Sequence, residues 1–324
     1  MSGEPRPVMV CGAAGFLGSH LVERLLNDGL PVDAVDDLST GSLGNLAAAR
    51  TIGGALKFHT LDVSGTDFAA LVARRAPETI YHLALLPPGD RSGSRTLASI
   101  GALQSVLDAA RAGGATKVVA CVPAGAIYGD LEPRLLPAKE GAESEPRELR
   151  HVVARSLVEL LGVYRREHSL EFTVLATTNV YGPRQRAGHG VVATFAAAVA
   201  AHEDAEIHGT GKQTRDFLYV DDAVDALARA RTKGGGLVIN VGTGVQTTVE
   251  ELWKLVAAGS GQRARRTEAR DGDLRRVAVS PVRARIQLGW APWTSLREGL
   301  RAVRGRTSRP DGTEPDAAGE TDEG

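Results

Sequence analysis

Apolar residues fall along the first half of the chain in short unbroken runs, separated by stretches of helical periodicity. The runs at 8–11, 32–35, 79–83, 117–122 and 172–175 lack a polar alternation, which predicts strands buried on both faces. Between them, residues 20–27, 68–75, 97–112 and 149–166 space apolar side chains three and four apart and predict helices. Strands alternating with helices imply a doubly wound α/β fold, a parallel sheet covered on both faces. Past Asn179 the pattern loosens into a helix over 191–202, a strand-turn segment around 207–219 and a helix after Asp222. A strand over 237–241 and a helix near 248–257 follow. This predicts a large domain over 1–179, to which the chain returns near 217–245, and a smaller lobe over 180–304. Residues 305–324 hold six acids against two arginines with no apolar periodicity, the composition of a solvated, disordered tail.

The turn between the first strand and the first helix reads Gly12-Ala13-Ala14-Gly15-Phe16-Leu17-Gly18. In such a turn Gly12 permits the tight bend, Gly15 lets the backbone approach a pyrophosphate, and Gly18 lets helix and strand pack closely. The amides of the opening helical turn then face the phosphates. Asp36-Asp37 close the second strand at the expected distance of ~20 residues. An acid there accepts hydrogen bonds from ribose hydroxyls and repels a 2′-phosphate, so NAD is favoured over NADP.

At 43% hydrophobic and 24% charged residues, the 324-residue chain has the make-up of a soluble globular protein with a full core. A net charge of −1 argues against nucleic acid as a partner. Cys11 and Cys121 lie in predicted strands and read as small core residues, with no metal site implied. No signal peptide or membrane-length apolar run is present, so a cytoplasmic protein without a membrane partner is expected. Only six basic residues are lysines, and none lies between Lys139 and Lys212.

Several motifs together resemble the extended short-chain dehydrogenase/reductase family, in particular its nucleotide-sugar epimerases and dehydratases of the UDP-glucose 4-epimerase type. They are the glycine turn, Asp36-Asp37-Leu38-Ser39-Thr40-Gly41, Asp62-Val63 and Tyr81-His82-Leu83-Ala84. Further on, Asn179-Val180-Tyr181-Gly182-Pro183-Arg184-Gln185, the segment 209–217, Asn240-Val241-Gly242-Thr243-Gly244, Arg270-Asp271-Gly272-Asp273 and Leu288-Gly289-Trp290 are similar to family signatures. The resemblance implies that Asp62 and Val63 lie beside the adenine of NAD and that Leu83 and Ala84 lie under the cofactor. It also implies a nucleoside-diphosphate sugar as second ligand, with Arg215 and Arg270 on the diphosphate, Asp273 on the nucleoside ribose and Asn179 near the phosphates or sugar. A homodimer through the helices near 97–112 and 149–166 is implied as well.

The same resemblance implies a proton relay of serine or threonine, tyrosine, and a lysine four residues after the tyrosine. Here the first slot, four residues before Tyr128-Gly129, is Ala124, preceded by Pro123. The Tyr-x-x-x-Lys slot reads His151-Val152-Val153-Ala154-Arg155, and that motif occurs nowhere in the chain. Pro87 and Ala98 replace a lysine and an asparagine of the family pattern. In one reading His151 is the acid/base, kept neutral by Arg155 and the nicotinamide, while Arg155 also bonds the cofactor ribose. The protein is then an epimerase or dehydratase that transiently oxidises a sugar carbon, C4, through an atypical relay. In the other reading the chain is a catalytically silent NAD- and nucleotide-sugar-binding homologue that serves a regulatory or assembly role. Tyr128 and Cys121 are weaker candidates for the missing chemistry.

Overall fold

The computed structural model describes residues 5–87, 90, 93–142, 144–270 and 272–307. β1 (Val8–Cys11) leads into α1 (Phe16–Asn27), followed by β2 (Val32–Asp36), α2 (Ala47–Thr51), β3 (Leu56–Thr60) and α3 (Thr66–Arg75). The chain then crosses over through β4 (Thr79–His82), α4 (Ser94–Ala112), β5 (Lys117–Pro123), α5 (Ala124–Tyr128), α6 (Leu149–His168) and β6 (Glu171–Thr177). β7 (Asn179–Tyr181), α7 (Val191–Ala200), β8 (Ala205–His208), β9 (Thr214–Arg215) and β10 (Phe217–Tyr219) precede α8 (Val220–Ala230) and β11 (Leu237–Val241). The remainder is β12 (Thr247–Thr248), α9 (Val249–Val256), β13 (Ala264–Thr267), α10 (Val282–Leu288) and α11 (Leu296–Thr307).

The main sheet is parallel, in the order β11-β6-β5-β4-β1-β2-β3. Strand order reverses between β1 and β4, where Val8 lies opposite Thr79 and Cys11 opposite His82. The first half of the chain winds away from this point in one direction and the second half in the other. The carboxyl ends of β1 and β4 therefore diverge into a crevice, the position where open α/β sheets bind ligands.

Two apolar layers cover the sheet. On one face Phe68, Leu71, Leu103, Leu107, Leu157 and Leu161 bring in α3, α4 and α6. On the other, Leu21 and Leu25 of α1 meet Ala223 and Leu227 of α8. A third cluster around Phe195, Phe217, Leu252 and Trp253 forms the core of the smaller lobe. Its short ladders pair β10 with β7, β12 with β9 and β13 with β8. A capping box at Thr248 and Glu251 starts α9 by satisfying its first free amides.

Three details depart from the pattern in the sequence. β3, an edge strand whose side chains are mostly half-buried or exposed, lacks the continuous apolar run that marked its neighbours. Ala284, Leu288 and Trp290 belong to the core of the large domain, although they lie within the span expected to form the lobe. α11 continues to Thr307, past the expected start of the tail, and residues 308–324 lie outside the described residues. No helix among the described residues is long and apolar enough to cross a membrane.

Candidate active site

Gly12 adopts φ +84, the left-handed conformation that glycine takes without strain, and turns the chain out of β1. At Gly18 a β-carbon would overlap the Gly12 carbonyl, so α1 can lie against the turn only with glycine there. Gly15 is the N-cap of α1 and no side chain caps the helix. The first amides of α1 are left without intrahelical partners and front a cavity of about 590 Å³. The cavity is lined by Gly12, Gly15, Phe16, Leu17 and Gly18, and by Leu83 and Ala84, which lie against Gly12. Asp36, Asp37, Asp62 and Val63 also line it.

Asp36 does two jobs there. Its Oδ2 accepts from the Ala14 amide at 2.9 Å and its Oδ1 from the Leu38 amide at 2.8 Å, which ties the glycine turn to the end of β2. Burial raises its pKa, and these amide bonds act against that rise. Asp37 is exposed, and its Oδ1 accepts from the Ser39 amide at 2.9 Å. Unpartnered helix-start amides, a close-packed glycine turn and an acid ending β2 together fit a dinucleotide with a free 2′-hydroxyl.

A second cavity, of about 240 Å³, adjoins the first and brings together His151, Asn179, Arg215 and Asp273. Arg215 donates to the Asp273 carboxylate through Nη2 and to the Thr214 carbonyl through Nη1 at 2.9 Å. Burial lowers its pKa and Asp273 opposes that shift, so it remains a cation on the cavity wall. Arg270 does not join this group. It is exposed on the lobe, with Nη2 at 2.6 Å from His208 Nε2, and it is not among the residues lining the cavity.

The relay slots divide in the same way. His151 is buried at 4% exposure and lines the second cavity. Its Nδ1 accepts from the Arg147 amide at 3.3 Å, which leaves Nε2 to carry the proton of the neutral ring. Burial is the largest cause lowering its pKa; Glu148 raises it, and Arg155 and Arg150 lower it further. Arg155 turns away from both cavities, with Nε donating to Ile127 O at 3.2 Å and Nη2 to Ser144 O at 2.6 Å. Its guanidinium thus holds backbone carbonyls at and beside α5 and is not brought to the cavity expected to hold the cofactor ribose. Ala124 is fully buried at the start of α5 and lines neither cavity. Tyr128 donates to Asn240 Oδ1 at 2.6 Å inside the core.

Pro123, Arg150, Thr177 and Thr178 line both cavities and so form their junction. None of the last three was singled out in the sequence. Arg150 precedes His151 by one residue on α6, and a helix turns far enough per residue to exchange which neighbour reaches the crevice. Its Nη2 donates to Leu86 O at 2.6 Å and its Nη1 to Pro87 O at 3.1 Å. Thr178 Oγ1 is buried without a hydrogen-bond partner among the described residues. Cys121 also lines the larger cavity, its Sγ 3.4 Å from Thr177 Oγ1, and burial raises its pKa to about 11. A thiol held protonated at neutral pH is a poor nucleophile.

A dinucleotide crevice that opens onto a hollow walled by an arginine is the arrangement of an enzyme acting on a second, anionic ligand beside its nicotinamide cofactor. The family model described as the NAD dependent epimerase/dehydratase family matches residues 8–242, and the chain belongs to that family. It is an NAD-dependent enzyme of the epimerase or dehydratase kind. It is similar, at 38% identity over 307 residues, to the UDP-glucose 4-epimerase of Mycolicibacterium smegmatis, covering 90% of this chain and 95% of that relative. The fold is similar to the UDP-glucose 4-epimerase of Thermotoga maritima solved with UDP-glucose, with a TM-score of 0.86 and 32% identity. That match covers 92% of this chain and 97% of the other. A complex of the Thermus thermophilus UDP-glucose 4-epimerase with NAD matches at a TM-score of 0.85 and 29% identity, over 93% and 98% of the two chains.

Proposed function

We propose that the protein is a nucleotide-sugar epimerase or dehydratase that transiently oxidises C4 of a nucleoside-diphosphate sugar. The observation that carries this reading is the junction itself. The larger cavity and the arginine-walled cavity meet at Thr177, Thr178 and Arg150, and this shared wall supports a sugar ring in one reaching a nicotinamide in the other. NAD, when bound, supplies a reversible acceptor for the hydride of the sugar carbon. The protein supplies the rest: Arg215 grips the diphosphate, Asn179 and Asp273 position the nucleotide end, and a side chain takes the hydroxyl proton as the hydride leaves.

His151 fits that last role through a water. Burial keeps the ring neutral near pH 7, which a base requires. To accept a proton at the cavity face, the ring exchanges tautomer and gives up the long bond from the Arg147 amide, at a cost of about 1 kcal/mol. Arg155 acts on this site through its neighbours, fixing α6 to α5 by way of Ile127 and Ser144. Two copies pair through α4 and α6, whose outer faces expose Leu97, Leu149 and Val152.

Proton NMR in heavy water, with UDP-, TDP- and GDP-sugars and NAD, tests the proposal. We expect new sugar signals or solvent deuterium in the sugar. His151→Phe should lower that rate by roughly 10²–10⁴-fold while sugar-nucleotide binding persists. Unchanged turnover in the variant would remove His151 from the mechanism. Saturable binding without turnover across the panel would identify a catalytically silent binder.

A further inference from the structure

Among the described residues Arg150 is the one arginine that lines both cavities, and it is partly buried, whereas Arg95 and Arg186, which line the larger cavity alone, are exposed. Arg184 is paired with Glu23 and Arg215 with Asp273, each by an ion pair, whereas no carboxylate is paired with Arg150 among the described residues. Its two recorded acceptors, the Leu86 and Pro87 carbonyls, are neutral. Among the described residues, two of the five guanidinium N–H donors are thus engaged and three remain. Burial, the largest influence on this group, lowers its pKa, with Glu148 and Asp90 opposing at a distance. A half-buried guanidinium without an ion-pair partner is unfavourable, and a carboxylate arriving with a ligand offsets that cost through a bidentate, charge-assisted contact.

The position of Arg150 restricts which anion that is. The pyrophosphate of the dinucleotide belongs at the glycine turn, which lines the larger cavity and not the smaller one. The diphosphate of the second ligand belongs at Arg215. Arg150 lies between, at the junction where the sugar ring meets the nicotinamide. An anion at this point must be carried by the sugar itself, on a carbon next to the one that is oxidised. A carboxylate on C5 of the ring meets this condition and matches the planar fork of the guanidinium. We therefore propose that Arg150 is a specificity-determining residue that binds the sugar carboxylate of a nucleoside-diphosphate uronic acid, an inference that rests on the nucleotide-sugar reading above. The loop contacts at Leu86 and Pro87 hold the fork in place before the ligand arrives, so little side-chain entropy is lost on binding.

Calorimetric titration of the NAD-loaded protein with UDP-glucuronic acid and UDP-glucose tests this, in the native chain and in the Arg150→Met and Arg150→Lys variants. The ratio of the two affinities is the readout, because a folding defect weakens both ligands together. We expect the native protein to bind the uronic acid nucleotide roughly tenfold more tightly, Arg150→Met to bring the ratio close to one, and Arg150→Lys to keep part of the preference. Equal affinities in the native chain, or a preference that survives Arg150→Met, would overturn the inference and leave the nucleotide-sugar reading standing. Failure of the native protein to bind either nucleotide sugar would overturn that reading and the inference with it.

Discussion

At Gly18 the absence of a single β-carbon decides how close α1 comes to the glycine turn that fronts the larger cavity. A methyl group there overlaps the Gly12 carbonyl, a backbone atom that cannot swing aside. Gly18→Ala should cost about 1–3 kcal/mol as overpacking and weaken NAD affinity, because the misplaced helix start is the phosphate site. Thermal unfolding with and without NAD checks both effects, and an unchanged melting temperature would remove the packing argument. His151 makes a prediction in pH. Its pKa lies below the ordinary 6.5, so the base-competent neutral form persists below that value. Activity should fall on the acid side only at a pH under 6.5, and His151→Phe should abolish that limb of the profile. The glycine turn and the Asp36 that ends β2 were legible at this scale because their spacing reports a tight strand-to-helix turn beside a strand end. Arg150 was not, because sequence numbering does not show which of two adjacent residues on α6 enters the crevice. Thr177 and Thr178 gave no signal either, since a hydroxyl at a strand end is common and a missing partner shows only in three dimensions.

Elements buried on both faces were the most legible: β1, β2, β4, β5 and β6 were each anticipated from uninterrupted apolar runs. β3 escaped because its Lys57, His59 and Thr60 belong to an edge strand in contact with solvent. β4 carries a cost of its own. His82 is fully buried at the β1–β4 switch, and neither ring nitrogen has a hydrogen-bond partner among the described residues. Burial lowers its pKa to about 4. The unfolded chain, with a value near 6.5, therefore takes up the proton first as pH falls. Stability should decline between pH ~6.5 and ~4, by about 3 kcal/mol in total from this residue, and level off below. Denaturant unfolding across that range measures the decline, and His82→Leu should flatten it. A native profile no steeper than that of the variant would contradict the assignment.

Over the whole molecule, the alternation of strands and helices was enough to define a doubly wound sheet and so the side on which ligands meet. The course of the chain between the two lobes was less legible. Trp290 and its neighbours return to the large domain because the Trp290 indole donates to the Asp222 carbonyl at 2.9 Å in the layer formed with α8, a pairing of residues far apart in sequence. The two lobes are also linked across the crevice, where Arg184 Nη2 meets Glu23 Oε1 at 2.6 Å and His20 Nε2 lies 3.1 Å from the Pro183 carbonyl. The molecule thus has the fold of an NAD-dependent epimerase or dehydratase, and the junction of its two cavities presents an arginine and two threonines. Whether hydride moves there is answered most directly by the near-ultraviolet absorbance of reduced nicotinamide, followed as a nucleotide sugar is mixed with NAD-loaded protein. Absorbance should rise and then relax as the hydride returns, with the rise suppressed in His151→Phe. A native protein that saturates with nucleotide sugar and shows no reduced nicotinamide, and no turnover, would mean that this crevice binds both ligands without chemistry.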